Sequence, residues 1–184
     1  MTTEHPILFS SPMVRALLDG RKTQTRMVVK PQPSNEVDAV FGSFAFGPPL
    51  HERTSPYGIP GDRLWVRETW ATTKSVQAGF NGHIAYKSDP QEQHTGPWKP
   101  SIHMPRCFSR ISLEITAVRV ERLQEITEAD AMDEGAEPVL VPPDGGSAPH
   151  VEGFRALWDT INAKRGFGWD ADPWVWVIEF RKVD

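Results

Sequence analysis

Cysteine and long apolar runs are almost absent from this 184-residue chain. The one cysteine, Cys107, excludes an internal disulfide framework, and we expect it to be a small buried or half-buried residue without a catalytic role. No apolar run approaches the roughly 18 residues that a membrane-spanning helix needs. No signal-peptide pattern is visible, so a reducing cytoplasm is the expected location, without membrane contact.

An excess of positive charge is also missing. Lys and Arg total 20 against 24 for Asp and Glu, which gives a net charge of −4, and like charges do not run together. Such a chain does not coat nucleic acid by bulk attraction. Any contact with nucleic acid must therefore come from a local patch.

Motifs for metal ions and common cofactors are missing as well. Six histidines are scattered through the chain, with no H-x-x-x-H and no His/Cys ligand pair: His5, His51, His83, His94, His103 and His150. The Walker loop, the G-x-G-x-x-G loop and the G-x-S-x-G elbow are also absent. We therefore expect neither a metal nor a cofactor.

The chain is rich instead in proline, glycine and tryptophan, with 17, 14 and 7 residues. Pro and Gly concentrate in three expected loops, at about residues 31–60, 89–106 and 138–150. The length suits a single domain over residues 1–184 with one real core. Long loops in compact domains are often functional, so the loop at 89–106 is a candidate for ligand contact.

The expected helices are three and short. The first precedes Gly20, with Ser11 as cap, Pro12 in the first turn, and Val14, Leu17 and Leu18 on one apolar face. The second lies between Thr127 as cap and Gly135 as terminator. The third carries an apolar stripe formed by Phe154, Leu157, Trp158 and Ile161.

About six strands are expected around these helices, from stretches that include "KTQTRMVV", "GDRLWVRETW", "HIAYKS" and the terminal "PWVWVIEFRKV". The apolar phase shifts between Ile115 and Val118, which predicts a β-bulge. Trp158, Trp174 and Trp176 have core spacing and are interpreted as packing residues. These patterns favour an α+β fold, a small mixed β-barrel with short helices at its rim.

The order of four motifs points to a family. A helix ending in "GRKTQTR", then "PGDRLWVRETW", "ITEADAMDEG" and a terminal "WVWVIEF" strand resembles the ASCH domain family. The resemblance covers residues 7–181 and is nearest to longer ASCH-type proteins of phages and prophages. It implies a PUA-like barrel that binds RNA or a nucleoside.

Some members of this family are amidohydrolases that deacetylate N(4)-acetylcytidine, and others are reported as ribonucleases. The amidohydrolases use the lysine and threonine of a G-x-K-x-x-T motif and a glutamate at the end of a "TE…E" helix. By resemblance, these residues correspond to Lys22, Thr25 and Glu134 of this chain. Thr25 would be the nucleophile, Lys22 the base and Glu134 the acid. The chain departs from those compact enzymes in length, in its loop 89–106 and in having Met27 where relatives often have a second arginine.

Simpler interpretations remain open for the same residues. Lys22, Gln24 and Arg26 could form one solvated strand face, because Lys22 and Thr25 point oppositely in a regular strand. Glu68 is in phase with apolar neighbours and needs a partner, for which Lys22 or Arg26 is the expected choice.

The sequence is therefore consistent with two functions. One is a hydrolase acting on an acylated nucleoside or on RNA, and the other is a non-catalytic RNA-binding or nucleotide-binding module. Both use a basic cleft whose expected ligand-binding residues are Arg21, Arg26, Glu68, Trp98, Lys99, Ser101, His103 and Arg106. The aromatic and cationic residues of the loop 89–106 would suit stacking on a base and contact with phosphates, or simply a stiff surface loop.

Overall fold

The computed structural model describes residues 2–41, 49–72, 83–92, 94–139 and 148–183. Parts of the three expected loops, residues 42–48, 93 and 140–147, lie outside the described residues. The strands and α-helices are, in chain order, β1 (Glu4–Leu8), α1 (Ser11–Leu18), β2 (Gln24–Val28), α2 (Glu36–Phe41), β3 (Arg63–Arg67), β4 (Trp70–Thr72), β5 (Ile84–Tyr86), β6 (Ser112–Arg122), α3 (Glu128–Asp133), α4 (Pro149–Asn162) and β7 (Trp174–Val183). This arrangement of a sheet and short helices agrees with the expected α+β class.

The main sheet has five strands in the order β1-β3-β6-β7-β2. Strands β1 and β3 pair in parallel and the other neighbours pair antiparallel, while β4 and β5 form a separate two-stranded ribbon. In the described residues the order leaves β1 and β2 at the two edges. A mixed sheet is therefore established, whereas the closed barrel that we expected is not.

Strand β7 is apolar from Trp174 to Ile178, where it is covered on both faces. Val175 and Val177 pack with Phe154 and Trp158 of α4 on one face. On the other face Ile178 packs with residues of β1, β3 and β6. The alternating "WVWVIEF" pattern thus predicts a buried strand correctly, and the helix α4 supplies the second cover.

The predicted β-bulge is confirmed. The pairing of β6 with β7 changes register between Ile115 and Ala117, which leaves Thr116 as the extra, exposed residue. Because of this added residue, the apolar side chains of β6 occupy odd-numbered positions before the bulge and even-numbered positions after it, as the sequence indicates.

Several local expectations need correction. Ser10, not Ser11, is the N-cap of α1, and Leu18 is 42% exposed instead of lying on the buried face. Residues 31–60 are not loop throughout, since they contain α2. Cys107 is exposed rather than buried, because it lies in a surface 3₁₀ turn, Arg106–Phe108.

The stretch "GDRLWVRETW" is not one strand but two. It divides into β3 and β4 at Glu68 and Thr69, and the halves belong to different sheets. The alternation survives the break, because Leu64, Val66 and Trp70 are all buried.

The end of α3 is held against the start of β2. Thr127 caps α3 by accepting a hydrogen bond from Asp130 N at 3.1 Å, as expected from the sequence. The helix ends at Gly135, whose φ is +74°, and Thr23 N donates to Asp133 O at 2.8 Å. A β-carbon on Gly135 would lie 2.7 Å from Ala16 Cβ, so α1, α3 and the turn before β2 meet there at close range.

Gly135→Ala should destabilise the protein more than Gly20→Ala. Both glycines have a φ of +74°, but an added methyl at Gly20 meets nothing within 4 Å. Gly20→Ala then costs about 1 kcal/mol of backbone strain, and Gly135→Ala costs about 1–3 kcal/mol more through overpacking. Urea denaturation of both variants measures the difference, and equal losses of stability would contradict the close packing at Gly135.

Candidate functional site

The turn after α1 determines where Lys22 points. Gly20 adopts a positive φ, and the backbone N–H groups of Arg21 and Lys22 donate to Ala16 O at 2.8 and 3.0 Å. Strand β2 begins only at Gln24, so Lys22 belongs to the turn and forms an isolated antiparallel bridge with Glu134. A lysine in this position escapes the strand alternation that would turn it away from Thr25.

Lys22 and Glu134 form a fully buried ion pair. Lys22 Nζ donates to Glu134 Oε2 at 2.8 Å, and the two side chains are 0% and 4% exposed. The same Nζ donates to the backbone oxygens of Gln24 at 2.8 Å and Glu134 at 2.9 Å. These three acceptors match the three N–H bonds of an ammonium group, which satisfies the buried charge.

Arg26 links this pair to a wider buried network. Its guanidinium donates to Glu134 Oε1 at 3.3 Å and to Glu121 Oε1 at 3.1 Å from Nε. Gln24 Nε2 on the same strand face donates to Asp130 Oδ1 at 2.9 Å. The alternative of a solvated strand face is therefore excluded, because Lys22, Gln24 and Arg26 are all buried and paired.

A cavity of about 260 Å³ lies between β2 and α4, and we call it the β2–α4 cavity. Its walls are mainly apolar and include Phe9, Met13, Met27, Phe154, Leu157 and Trp158. Among its polar lining residues are Thr25, Arg26 and Glu134. Apolar walls with a few convergent polar groups are typical of a site for a small ligand.

Thr25 is a buried polar residue of this wall. It is 3% exposed on β2, opposite Ile178 of β7, and its hydroxyl makes no hydrogen bond with any described residue. In particular, no hydrogen bond joins Thr25 Oγ1 to Lys22 Nζ within the described ranges. Lys22 instead lies with Nζ 5.3 Å from the ring centroid of Phe9, which itself lines the cavity.

The partner expected for Glu68 is wrong. Glu68 is 1% exposed, but Arg110 Nε donates to its Oε1 at 2.9 Å and the Ser88 hydroxyl donates to its Oε2. Neither Lys22 nor Arg26 is involved. Sequence phase identified the burial of Glu68 correctly but could not identify a partner that is 42 positions away.

The other expected ligand-binding residues do not line the β2–α4 cavity: Arg21, Trp98, Lys99, Ser101, His103 and Arg106. Arg106 donates to both carboxylate oxygens of Glu4 at 3.0 Å, and Arg21 pairs with Glu137 at 3.0 Å. Lys99 lies over the Trp70 ring at 4.5 Å. The loop 89–106 thus packs against β4 and β1.

Sequence reasoning missed other residues of the cavity, among them Lys30, Tyr57, Asn162 and Arg165. A signal for two of them was present, because Asn162 and Arg165 follow Trp158 by four and seven residues and extend its helical stripe. Phe154, Leu157, Trp158 and Ile161 were interpreted as a core stripe, but all four line the cavity, and Ile161 is 45% exposed.

A second cavity of about 640 Å³ lies over β6 and β7 and is lined by Val118, Val120, Trp174 and Trp176. These two tryptophans, expected only to pack, therefore also form a cavity wall. In the described parts of the chain no group of three or more potential metal ligands occurs. Likewise no helix there is both long and apolar enough to cross a membrane.

Two ionisable groups beside the β2–α4 cavity have displaced pKa values. Burial raises the pKa of Tyr57, and the nearby positive charge of Arg165 opposes this only in part. At Asp130, burial acts to raise the pKa but is outweighed by hydrogen bonds from Thr127 and Gln24 and by the charge of Arg26. The pKa of Asp130 is lowered from 3.8 to about 2.

No protein-family model matches the chain, and no curated protein matches it. Two crystal structures are similar in fold. Protein EF3133 of Enterococcus faecalis V583, assigned to family model DUF984, has 13% identity and a TM-score of 0.47, with 100% of this chain and 82% of that chain covered. The ASCH domain of Lactobacillus crispatus JV V101 has 12% identity and a TM-score of 0.46, with 98% and 79% covered. Likeness at this level transfers no residue role or activity.

Breaking the Lys22–Glu134 pair should cost far more stability than breaking a surface pair. Glu134→Gln leaves the Lys22 ammonium without a carboxylate, and Lys22→Met leaves Glu134 with only the longer contact to Arg26 at 3.3 Å, for an expected loss of up to about 3–5 kcal/mol each. The double variant should lose less than the sum, because it leaves no orphaned charge. Denaturation of the wild type, the two single variants and the double variant gives the coupling energy. The exposed pair Arg181–Glu114, with a contact of 2.9 Å, is the control, and its coupling energy should be less than about 1 kcal/mol. Additive losses at Lys22 and Glu134 would contradict the buried pair.

Asp130 should make the protein sensitive to acid. Its pKa is lower in the folded state than in the unfolded chain, so its contribution is complete above about pH 4 and is lost as the pH falls towards 2. The shift corresponds to about 2 kcal/mol. Asp130→Asn should flatten the dependence of unfolding free energy on pH in this window, whereas Asp133→Asn, on the exposed side of α3, should not. Identical pH profiles for the wild type and Asp130→Asn would refute this assignment.

Proposed function

We propose that the β2–α4 cavity binds an acylated, cytidine-like nucleoside and that the chain hydrolyses its amide bond. The observation that carries this proposal is the Thr25 hydroxyl, which has no hydrogen-bond partner among the described residues and lines the same cavity as Glu134. The resemblance to the ASCH domain family supports the choice of substrate and the description of the fold as a PUA-like barrel.

The size and walls of the cavity support a base-sized ligand. A volume of about 260 Å³ accommodates a planar base, and Phe9, Phe154 and Trp158 provide aromatic surface for it. Arg26 and Glu134 supply a donor and an acceptor in the same wall. A ligand bound there displaces water and strengthens every electrostatic contact with these groups.

The ion pair of Lys22 and Glu134 supplies the acid and the base. Transfer of one proton along their 2.8 Å hydrogen bond converts Lys22 to a neutral amine and Glu134 to a carboxylic acid. Exclusion of water by the ligand favours this neutral pair over the charged one. Lys22 then accepts the hydroxyl proton of Thr25, whose oxygen bonds to the acyl carbon.

Collapse of the tetrahedral intermediate breaks the bond between the acyl carbon and the base nitrogen. The nitrogen takes the electron pair of that bond and the proton of Glu134, so the original charged pair is restored. Arg26 provides positive charge for the oxyanion. Water then hydrolyses the threonine ester, which releases the carboxylic acid and regenerates the Thr25 hydroxyl.

A non-catalytic module that binds a nucleotide or RNA in this cavity is the second candidate. It is favoured by the three hydrogen bonds that Lys22 Nζ donates, because they stabilise the charged ammonium form. An ammonium group has no lone pair and therefore cannot act as a base. The two candidates differ in whether N(4)-acetylcytidine is consumed or only bound.

Thr25→Val should lower the rate of N(4)-acetylcytidine turnover at least about a thousandfold, because it removes the nucleophilic hydroxyl and keeps the shape of the side chain. The fold should survive, because the Thr25 hydroxyl has no hydrogen bond to lose within the described structure. Chromatographic detection of released cytidine gives the rate, and calorimetry gives the affinity.

Thr25→Ser is the matched control and should retain most of the turnover. If Thr25→Val and the wild type release cytidine equally fast, Thr25 is not the nucleophile. If the wild type binds nucleosides or RNA in a salt-sensitive way but neither deacylates nor cleaves them, the non-catalytic module is the function.

A further inference from the structure

Two cations of the β2–α4 cavity have no acidic partner among the described residues. Lys30 and Arg165 both line the cavity, both are exposed, and neither forms an ion pair with any described residue. Arg26, by contrast, lines the same cavity with its guanidinium held by Glu121 and Glu134. The free positive charge of the cavity therefore belongs to Lys30 and Arg165.

These two cations lie at one end of the cavity. Strand β2 and helix α4 run side by side, since Arg26 lies 5.9 Å from the ring centroid of Phe154 and Lys30 lies 5.5 Å from that of Phe167. Phe167 N donates to Asn162 O, which places Lys30 beside the end of α4. Arg165 follows in the 3₁₀ turn after α4.

The catalytic groups proposed above lie towards the other end. Thr25 and Lys30 are five residues apart along β2 and its extension, a distance of about 16 Å between Cα atoms. Lys30 and Arg165 have long side chains that can reach back over the cavity and shorten this gap. The site thus has a reacting end at Thr25 and Glu134 and a cationic end at Lys30 and Arg165.

Tyr57 also lines the cavity. Burial raises the pKa of its phenol, and the positive charge of Arg165 opposes this effect. Two cations at one end of a mainly apolar cavity, with a phenol in its wall, are suited to the oxygens of a phosphate group.

We propose that Lys30 and Arg165 form an anion subsite that holds the phosphate of a nucleoside monophosphate whose base lies in the β2–α4 cavity. This inference deepens the proposed function and rests on the same cavity. A mononucleotide is preferred to an RNA strand because the cavity holds about one nucleotide. In addition, Arg21 and Arg106, two cations expected to contact RNA, are paired with Glu137 and Glu4.

Calorimetric titration with cytidine 5′-monophosphate and with cytidine tests the subsite directly. The wild type should bind the monophosphate about tenfold or more tightly, because only that ligand makes charge-assisted hydrogen bonds with both cations. The preference should shrink as salt is added. In Lys30→Gln and Arg165→Gln the preference should fall, and in the double variant it should vanish.

Lys164→Gln is the matched control, because Lys164 is an exposed neighbour of Arg165 in the same turn and does not line the cavity. It should keep the full preference, and melting curves should show that all variants fold. Equal affinity of the wild type for the two ligands overturns the subsite, as does an unchanged preference in the double variant. Tighter binding of a single-stranded cytidine oligonucleotide than of the monophosphate overturns the assignment to a mononucleotide in favour of RNA.

An assay of N(4)-acetylcytidine deacylation, with and without a 5′-phosphate on the substrate, distinguishes failure of this inference from failure of the proposed function. Deacylation of N(4)-acetylcytidine that is not improved by a 5′-phosphate would leave the hydrolase standing without the subsite. Phosphate-dependent binding through Lys30 and Arg165 without any deacylation would leave the subsite standing without the hydrolase.

Discussion

A buried ammonium must find acceptors inside the protein, and this requirement organises the region around Lys22. The ion pair with Glu134 at 2.8 Å and the two carbonyl contacts join the turn after α1 to the end of α3. Because the pair is almost completely buried, it contributes only if its geometry is maintained, and Gly135 permits the close approach that maintains it.

Among the described strands, β2 has one hydrogen-bonded neighbour, β7, and its other side borders the cavity. Helix α4 lies beside it and supplies the opposite wall, with aromatic side chains that belong at the same time to the core. The same strand therefore presents Arg26 to the buried charges and Thr25 to the cavity. A charged network lies close to a hydroxyl that has no hydrogen-bond partner among the described residues, and this is the physical basis of the proposed chemistry.

Local features of this fold were predictable from the sequence because they depend on neighbouring residues. The cap at Thr127, the end of α3 at Gly135 and the bulge after Ile115 are of this kind. The partners of buried charges were not predictable, since Arg110 finds Glu68, and Arg106 finds Glu4, across 42 and 102 residues. The alternation of apolar residues along a strand predicts which face is buried. It does not predict which distant residue pairs with a charge on that face.

The candidate site divides in the same way. Lys22, Thr25 and Glu134 were named by resemblance, and the structure brings Thr25 and Glu134 to one cavity. The cavity itself was not predictable, because an apolar helical stripe such as that of α4 is identical whether it faces a core or a void. Lys30 and Arg165 were missed for a related reason: an exposed cation gains significance only from the wall beside it.

The central claim is that the ligand site lies between β2 and α4, and the most direct measurement is an NMR titration of ¹⁵N-labelled protein with cytidine 5′-monophosphate. Shifts are expected for the backbone amides from Thr25 to Lys30 and for the Trp158 indole N–H, which lies in the cavity wall and donates to Phe167 O at 2.7 Å. Shifts confined to Trp174, Trp176 and Val118–Val120 would place the ligand in the second cavity and contradict the account.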